Sequence, residues 1–113
     1  MSLKIEDLNI ILLAKESSAQ KHYKEFFIEA GIRFFSIASE SQLENILEII
    51  PINGIVADIK TTLKASGTEK LLYSKLEEIY PFIRVRWDDD SDQINTIYPD
   101  DNVNSLLDFI NKI

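Results

Sequence analysis

Asp58 is the side chain in this 113-residue sequence best placed to do chemistry. It stands near the end of the apolar run GIVADI, where a strand carboxylate can accept a phosphoryl group. That reaction needs Mg²⁺ held by an acidic pair after the first strand, a hydroxyl after the fourth and a lysine after the fifth, so that charge on the transferring group is neutralised. The corresponding segments read Leu13-Ala14-Lys15-Glu16, Val85-Arg86-Trp87-Asp88 and Ile97-Tyr98-Pro99-Asp100. None supplies the required group. The other role open to Asp58 is structural, with its carboxylate accepting hydrogen bonds from the following loop, Thr61 and Thr62 being the donors at hand.

The segment KTTLKASGTEK (60–70) is the basic patch of an otherwise acidic chain. Lys60, Thr61, Lys64, Ser66 and Lys70 are candidate contacts for an anion or a partner, because the segment feeds a helix N-terminus with free N–H groups. Gly67 stands alone, and the spacing is not that of a P-loop. The run Asp88-Asp89-Asp90-Ser91-Asp92 has alternating acidic positions, yet Gln93 stands where a calcium loop needs glycine and Pro99 where it needs glutamate. It reads as a polar hairpin tip that discourages edge pairing. His22 has no nucleophile partner in the pattern and is read as solvent-exposed. Arg84 and Arg86 share one face of an alternating strand, opposite Val85 and Trp87, which predicts an exposed cationic stripe. No set of residues forms a catalytic constellation.

These residues must be positioned by regular elements. NIILLA (9–14) is a continuous apolar run, as in a strand buried on both faces. Ser17 with Gln20 has capping-box spacing and opens a helix over about 18–30, with Tyr23, Phe26, Phe27 and Ala30 inward and Gly31 at its end. IRFFSIA (32–38) is a second strand. Ser39 with Gln42, or Ser41 with Glu44, caps a helix whose inward side is Leu43, Ile46, Leu47 and Ile50, stopped by Pro51. NGIVADI (53–59) is a third strand and KTTLKA a loop. Ser66 with Glu69 opens a helix over about 67–80, with Leu71, Leu72, Leu76 and Ile79 inward and Pro81 at its end. FIRVRW (82–87) and INTIY (94–98) alternate and read as an antiparallel hairpin. A last helix over about 103–112 presents Val103, Leu106, Leu107 and Ile110.

The order βαβαβαββα predicts an α/β fold: a three-layer, flavodoxin- or receiver-like sandwich around a mostly parallel five-stranded sheet, order 2-1-3-4-5, with an antiparallel last strand. Residues 1–8 are read as a flexible N-terminus or tag and 9–113 as a single domain. Composition narrows the function classes. There is no cysteine, which excludes disulfides, thiol catalysis and a cysteine zinc site, and the single histidine excludes a multi-histidine metal site. A net charge of −7 argues against nucleic acid and anionic membrane as partners. No apolar run nears the ~20 residues of a membrane span, and no secretory signal is read, so a cytoplasmic domain without a cofactor is expected.

Taken together, NGIVADIKTTLKASGTEK (53–70), LEEIYPFIRVRW (76–87), INTIY (94–98) and the closing Leu106, Leu107, Phe109 and Ile110 resemble a bacterial family. It is the N-terminal receiver-like domain that precedes a PilZ domain in certain cyclic di-GMP receptor proteins. The resemblance covers about residues 9–111 and implies a degenerate receiver, a non-enzymatic regulatory or interaction module. Its partner would be the adjacent PilZ barrel or another signalling protein, with a homodimer as a further option. The nucleotide-binding motifs of that family lie in the barrel. This chain has no two arginines four apart and no Asx-x-Ser-x-x-Gly spacing, so no nucleotide-binding residue carries over. Two rivals remain: a phospho-accepting receiver using Asp58, and a small-anion sensor at the Lys60–Lys70 loop.

Overall fold

The computed structural model describes residues 7–15, 17–37, 39–88, 93–98 and 106–113. In chain order the elements are β1 (Asn9–Leu13), α1 (Ser17–Ala30), β2 (Arg33–Ile37), α2 (Glu40–Ile49), β3 (Gly54–Asp58), α3 (Ile59–Lys64), α4 (Gly67–Ile79), β4 (Phe82–Asp88), β5 (Gln93–Tyr98) and α5 (Leu106–Asn111). Four strands, β2-β1-β3-β4, run parallel in continuous register, Ile11 opposite both Phe35 and Ile55. β5 pairs with β4 in the antiparallel sense, with a register shift between Arg84 and Val85. The strand order is β2-β1-β3-β4-β5.

Successive side chains of a strand point to opposite faces, and the two cores divide on that alternation. Ile10, Leu12, Val56, Ile83 and Val85 face α1 and α5, meeting Tyr23, Phe27, Leu106, Phe109 and Ile110. Ile11, Leu13, Ile55, Ala57 and Phe82 face α2 and α4, meeting Leu43, Tyr73 and Leu76. The result is a three-layer α/β/α arrangement. Burying each large aliphatic side chain contributes about 1.5–3 kcal/mol, so β1 and β3, buried on both faces, anchor the domain.

Two glycines set chain reversals. Gly31, at φ +72°, follows α1. Its N–H donates to the Ile28 carbonyl at 3.2 Å, and the Ile32 N–H donates to the Phe27 carbonyl at 2.9 Å, a Schellman closure. Gly67, at φ +60°, opens α4.

The structure corrects the expected pattern in four places. Leu8, read as the last residue of a flexible N-terminus, is buried in the core on the α1 side of the sheet. The segment KTTLKA is not a loop: residues 59–64 form α3, whose N-cap is Asp58. Ser66 precedes α4 but makes no side-chain cap bond. Leu71 and Ile79 are not inward; they are 67% and 68% exposed. The inward face of α4 is Leu72, Tyr73 and Leu76, with Tyr80 just beyond, because the Tyr73 ring occupies the sheet-facing position one residue from the expected stripe. Ser17's side chain and residues 89–92 and 99–105 lie outside the described residues, so the first capping box, the hairpin tip and the start of the last helix at Val103 are not tested.

Replacing Gly31 or Gly67 with alanine places a Cβ in open space, with nothing within 4 Å in either case. The cost is therefore conformational alone. Each variant is expected to lose about 1 kcal/mol of unfolding free energy, measured by urea denaturation. A neutral result at either position would contradict its left-handed backbone.

Candidate functional site

In a parallel α/β sheet the carboxyl ends of the strands, and the helix N-termini that follow them, gather at one edge. β1 brings Ala14 and Lys15 there, β2 brings Ser36 and β3 brings Asp58. Helices α1, α2 and α4 bring Gln20 and Tyr23, Glu40, and Thr68 and Glu69.

Asp58 is 1% exposed. The Tyr23 hydroxyl donates to its Oδ1 at 2.5 Å, and the Lys60 N–H donates to its Oδ2 at 3.2 Å. The second bond is the N-cap of α3, which meets one of the donors orphaned at a helix start. The carboxylate thus points to the α1 side of the sheet, as its place after Val56 and Ala57 dictates. The donors are Tyr23 and Lys60 rather than Thr61 or Thr62. Thr61 is buried instead under β1, accepting from the Lys15 N–H at 3.0 Å, and the Thr62 hydroxyl turns back to the Ile59 carbonyl at 2.9 Å. Gln20 closes the α1 side, donating to the Ala14 carbonyl at 3.0 Å and to Ser36 Oγ at 2.8 Å.

On the α2–α4 side, Lys15 Nζ bridges to Glu69 Oε2 at 2.6 Å. Thr68 Oγ1 lies 3.0 and 3.2 Å from the two Glu40 oxygens. Glu40 and Glu69 both sit in first helical turns, where the helix dipole favours a negative charge. Tyr73 lies beneath them. Burial first, then the charges of Glu69 and Glu40, push its hydroxyl up to about 12.

The remaining candidates are dispersed. Lys60, Lys64 and Lys70 are exposed on α3 and α4, and Ser66 is exposed between these helices. Arg84 does not belong to an open stripe: both its terminal nitrogens bond Glu77, at 2.9 and 2.8 Å, and its guanidinium lies 5.3 Å from the Phe82 ring centre. Arg86 is exposed. His22 is half-buried, not free in solvent, and stacks on Trp87 with ring centres 3.7 Å apart and planes 8° from parallel. Asp88 ends β4, and the rest of its acidic run lies outside the described residues. Among the described residues no group of three or more His, Asp or Glu side chains is arranged to hold a metal ion.

Sequence reasoning did not connect Tyr23 with Asp58. The signal was present: a tyrosine in a helix face otherwise phenylalanine needs a partner for its hydroxyl when buried, and Asp58 was the buried acceptor available. Gln20, Ser36, Glu40 and Thr68 carried no such signal, since their pairing depends on which loops meet. No family model, curated protein or solved structure matches the chain.

Two measurements test this geometry. Tyr23→Phe leaves Asp58 Oδ1 without the Tyr23 hydroxyl in a buried setting, an expected loss of about 1–3 kcal/mol. The double variant Tyr23→Phe/Asp58→Asn is expected to lose less than the sum of the single changes, as denaturation midpoints analysed by a mutant cycle would show. Strict additivity would contradict the contact.

Glu77 and Tyr73 predict opposite pH limits. The hydrogen bond from Arg84 is the main cause holding Glu77 below its ordinary 4.5, against a smaller upward push from burial. Its contribution is present above the ordinary carboxyl range and is lost as pH falls through the depressed value; exposure and salt keep it small. Tyr73 is raised, so its contribution is complete below about 10 and is lost as pH climbs toward about 12. Arg84→Gln is expected to return the Glu77 carboxyl titration, followed by NMR, to the ordinary range. Tyr73→Phe is expected to flatten the alkaline loss of stability.

Proposed function

We propose that this chain is a non-catalytic regulatory or interaction domain, a pseudo-receiver of flavodoxin-like architecture whose last strand runs antiparallel. In this reading it is cytoplasmic and works beside a PilZ-type barrel or another signalling protein, in keeping with the sequence resemblance. The observation that carries the reading is the state of Asp58: both oxygens are engaged from within the fold, and the residue is 1% exposed.

A phosphoryl acceptor must present a carboxylate oxygen in line with a leaving group, beside cations that neutralise the developing charge. Here Oδ1 is held by the Tyr23 hydroxyl. Phosphorylation of Asp58 would require α1 to move and would bring a phosphoryl dianion against the apolar α1 core. The basic group at the end of β1, Lys15, is committed to Glu69. This arrangement favours a carboxylate that closes the top of the sheet over one that reacts. The exposed cations Lys60, Lys64, Lys70 and Arg86, together with the β2 edge, are the surfaces offered to a partner.

Incubation with acetyl phosphate and Mg²⁺, followed by intact mass, tests the proposal. No phosphate-sized gain is expected. A gain that disappears in Asp58→Asn would overturn it and establish the phospho-accepting alternative.

A further inference from the structure

We propose that Asn53–Gly54 is a latent self-modification site, held closed by the pairing of β1 with β3 and opened when that pairing is lost. Asn53 is the one asparagine in the sequence followed by glycine. Such a pair can cyclise because glycine has no side chain to hinder its own backbone nitrogen. The Gly54 nitrogen attacks Asn53 Cγ, the new N–Cγ bond forms as the Cγ–Nδ2 bond breaks, and ammonia leaves with the proton lost by the glycine nitrogen. Water then opens the cyclic imide at either carbonyl, giving aspartate or its β-linked isomer. The net change is hydrolysis of one side-chain amide, and water is the only co-reactant.

The fold opposes the first step. Asn53 accepts the Asn9 N–H on its Oδ1 at 2.8 Å and donates its own N–H to the Asn9 carbonyl at 2.9 Å. Asn9 is in turn tied to the Pro51 carbonyl through Nδ2 at 2.9 Å. Gly54 is buried and paired with Ile10, and a Cβ built on it would lie 2.7 Å from the Ile113 side chain. Bringing the Gly54 nitrogen over Cγ requires the Asn53 backbone to rotate out of this double clasp. Attack therefore waits on local opening of the first residues of β1 and β3. Once formed, the β-linked isomer adds a backbone methylene and removes Gly54 from register, so the opened state cannot return to the same sheet.

The full chain, kept in mildly alkaline buffer, is compared with the same chain in denaturing urea at equal pH and temperature. Conversion is read by peptide mapping with an assay for the β-linked isomer. Conversion at Asn53 is expected to be at least about tenfold slower in the folded chain. Equal rates, or unfolded-state conversion concentrated at another asparagine, would overturn the proposal. Asn9→Pro removes the backbone N–H that Asn53 Oδ1 accepts; in a chain shown to fold by circular dichroism it is expected to raise the folded-state rate several-fold, and an unchanged rate there would count against the clasp. The wild-type comparison decides the matter whether or not that variant folds.

Discussion

A carboxylate taken out of water must have its oxygens met by donors, and the top of this sheet is organised around meeting those of Asp58. One donor comes from the inner face of a helix packed on the sheet, the Tyr23 hydroxyl; the other comes from the next backbone amide but one, Lys60. The first bond fixes how α1 sits over β3. The second starts α3 and so decides how the chain leaves the sheet on its way to α4. A single side chain therefore couples a helix on one face to the connection that crosses toward the other.

The surrounding polar groups follow the same logic of internal pairing. No buried side-chain nitrogen or oxygen among the described residues lacks a partner. Gln20 and Ser36 bind the end of β1 to β2, Thr61 binds it to α3, and the Lys15 ammonium reaches α4. An edge that in this architecture commonly receives ligands is here cross-linked by the protein's own groups.

Much of the layering was legible in the sequence because it rests on strong periodicities. The apolar runs of β1 and β3 have the length and composition of strands buried on both faces, and the stripe Tyr23, Phe26, Phe27 and Ala30 has the spacing of a helix's inner face. The site was legible in part. Asp58 stood out as an acid among apolar residues, but its partners did not, since the pairing with Tyr23 spans 35 residues and depends on the angle of α1. Short helices escape pattern reading for a similar reason. α3 has six residues, too few to show a period, and its start is set by a cap whose carboxylate also serves the core. On α4 the sequence pattern sets both Leu71 and Leu72 inward, whereas the Tyr73 ring takes a sheet-facing seat beside Leu72 and leaves Leu71 exposed.

The stack of His22 on Trp87 joins α1 to β4 through the chain's sole indole and sole imidazole. Because no second indole contributes, the protein's tryptophan emission, excited at a wavelength the four tyrosines do not absorb, has one address. Its colour and intensity register whether the first helix is seated on the fourth strand, so a perturbation arriving at either element becomes visible in a single emission band without any label.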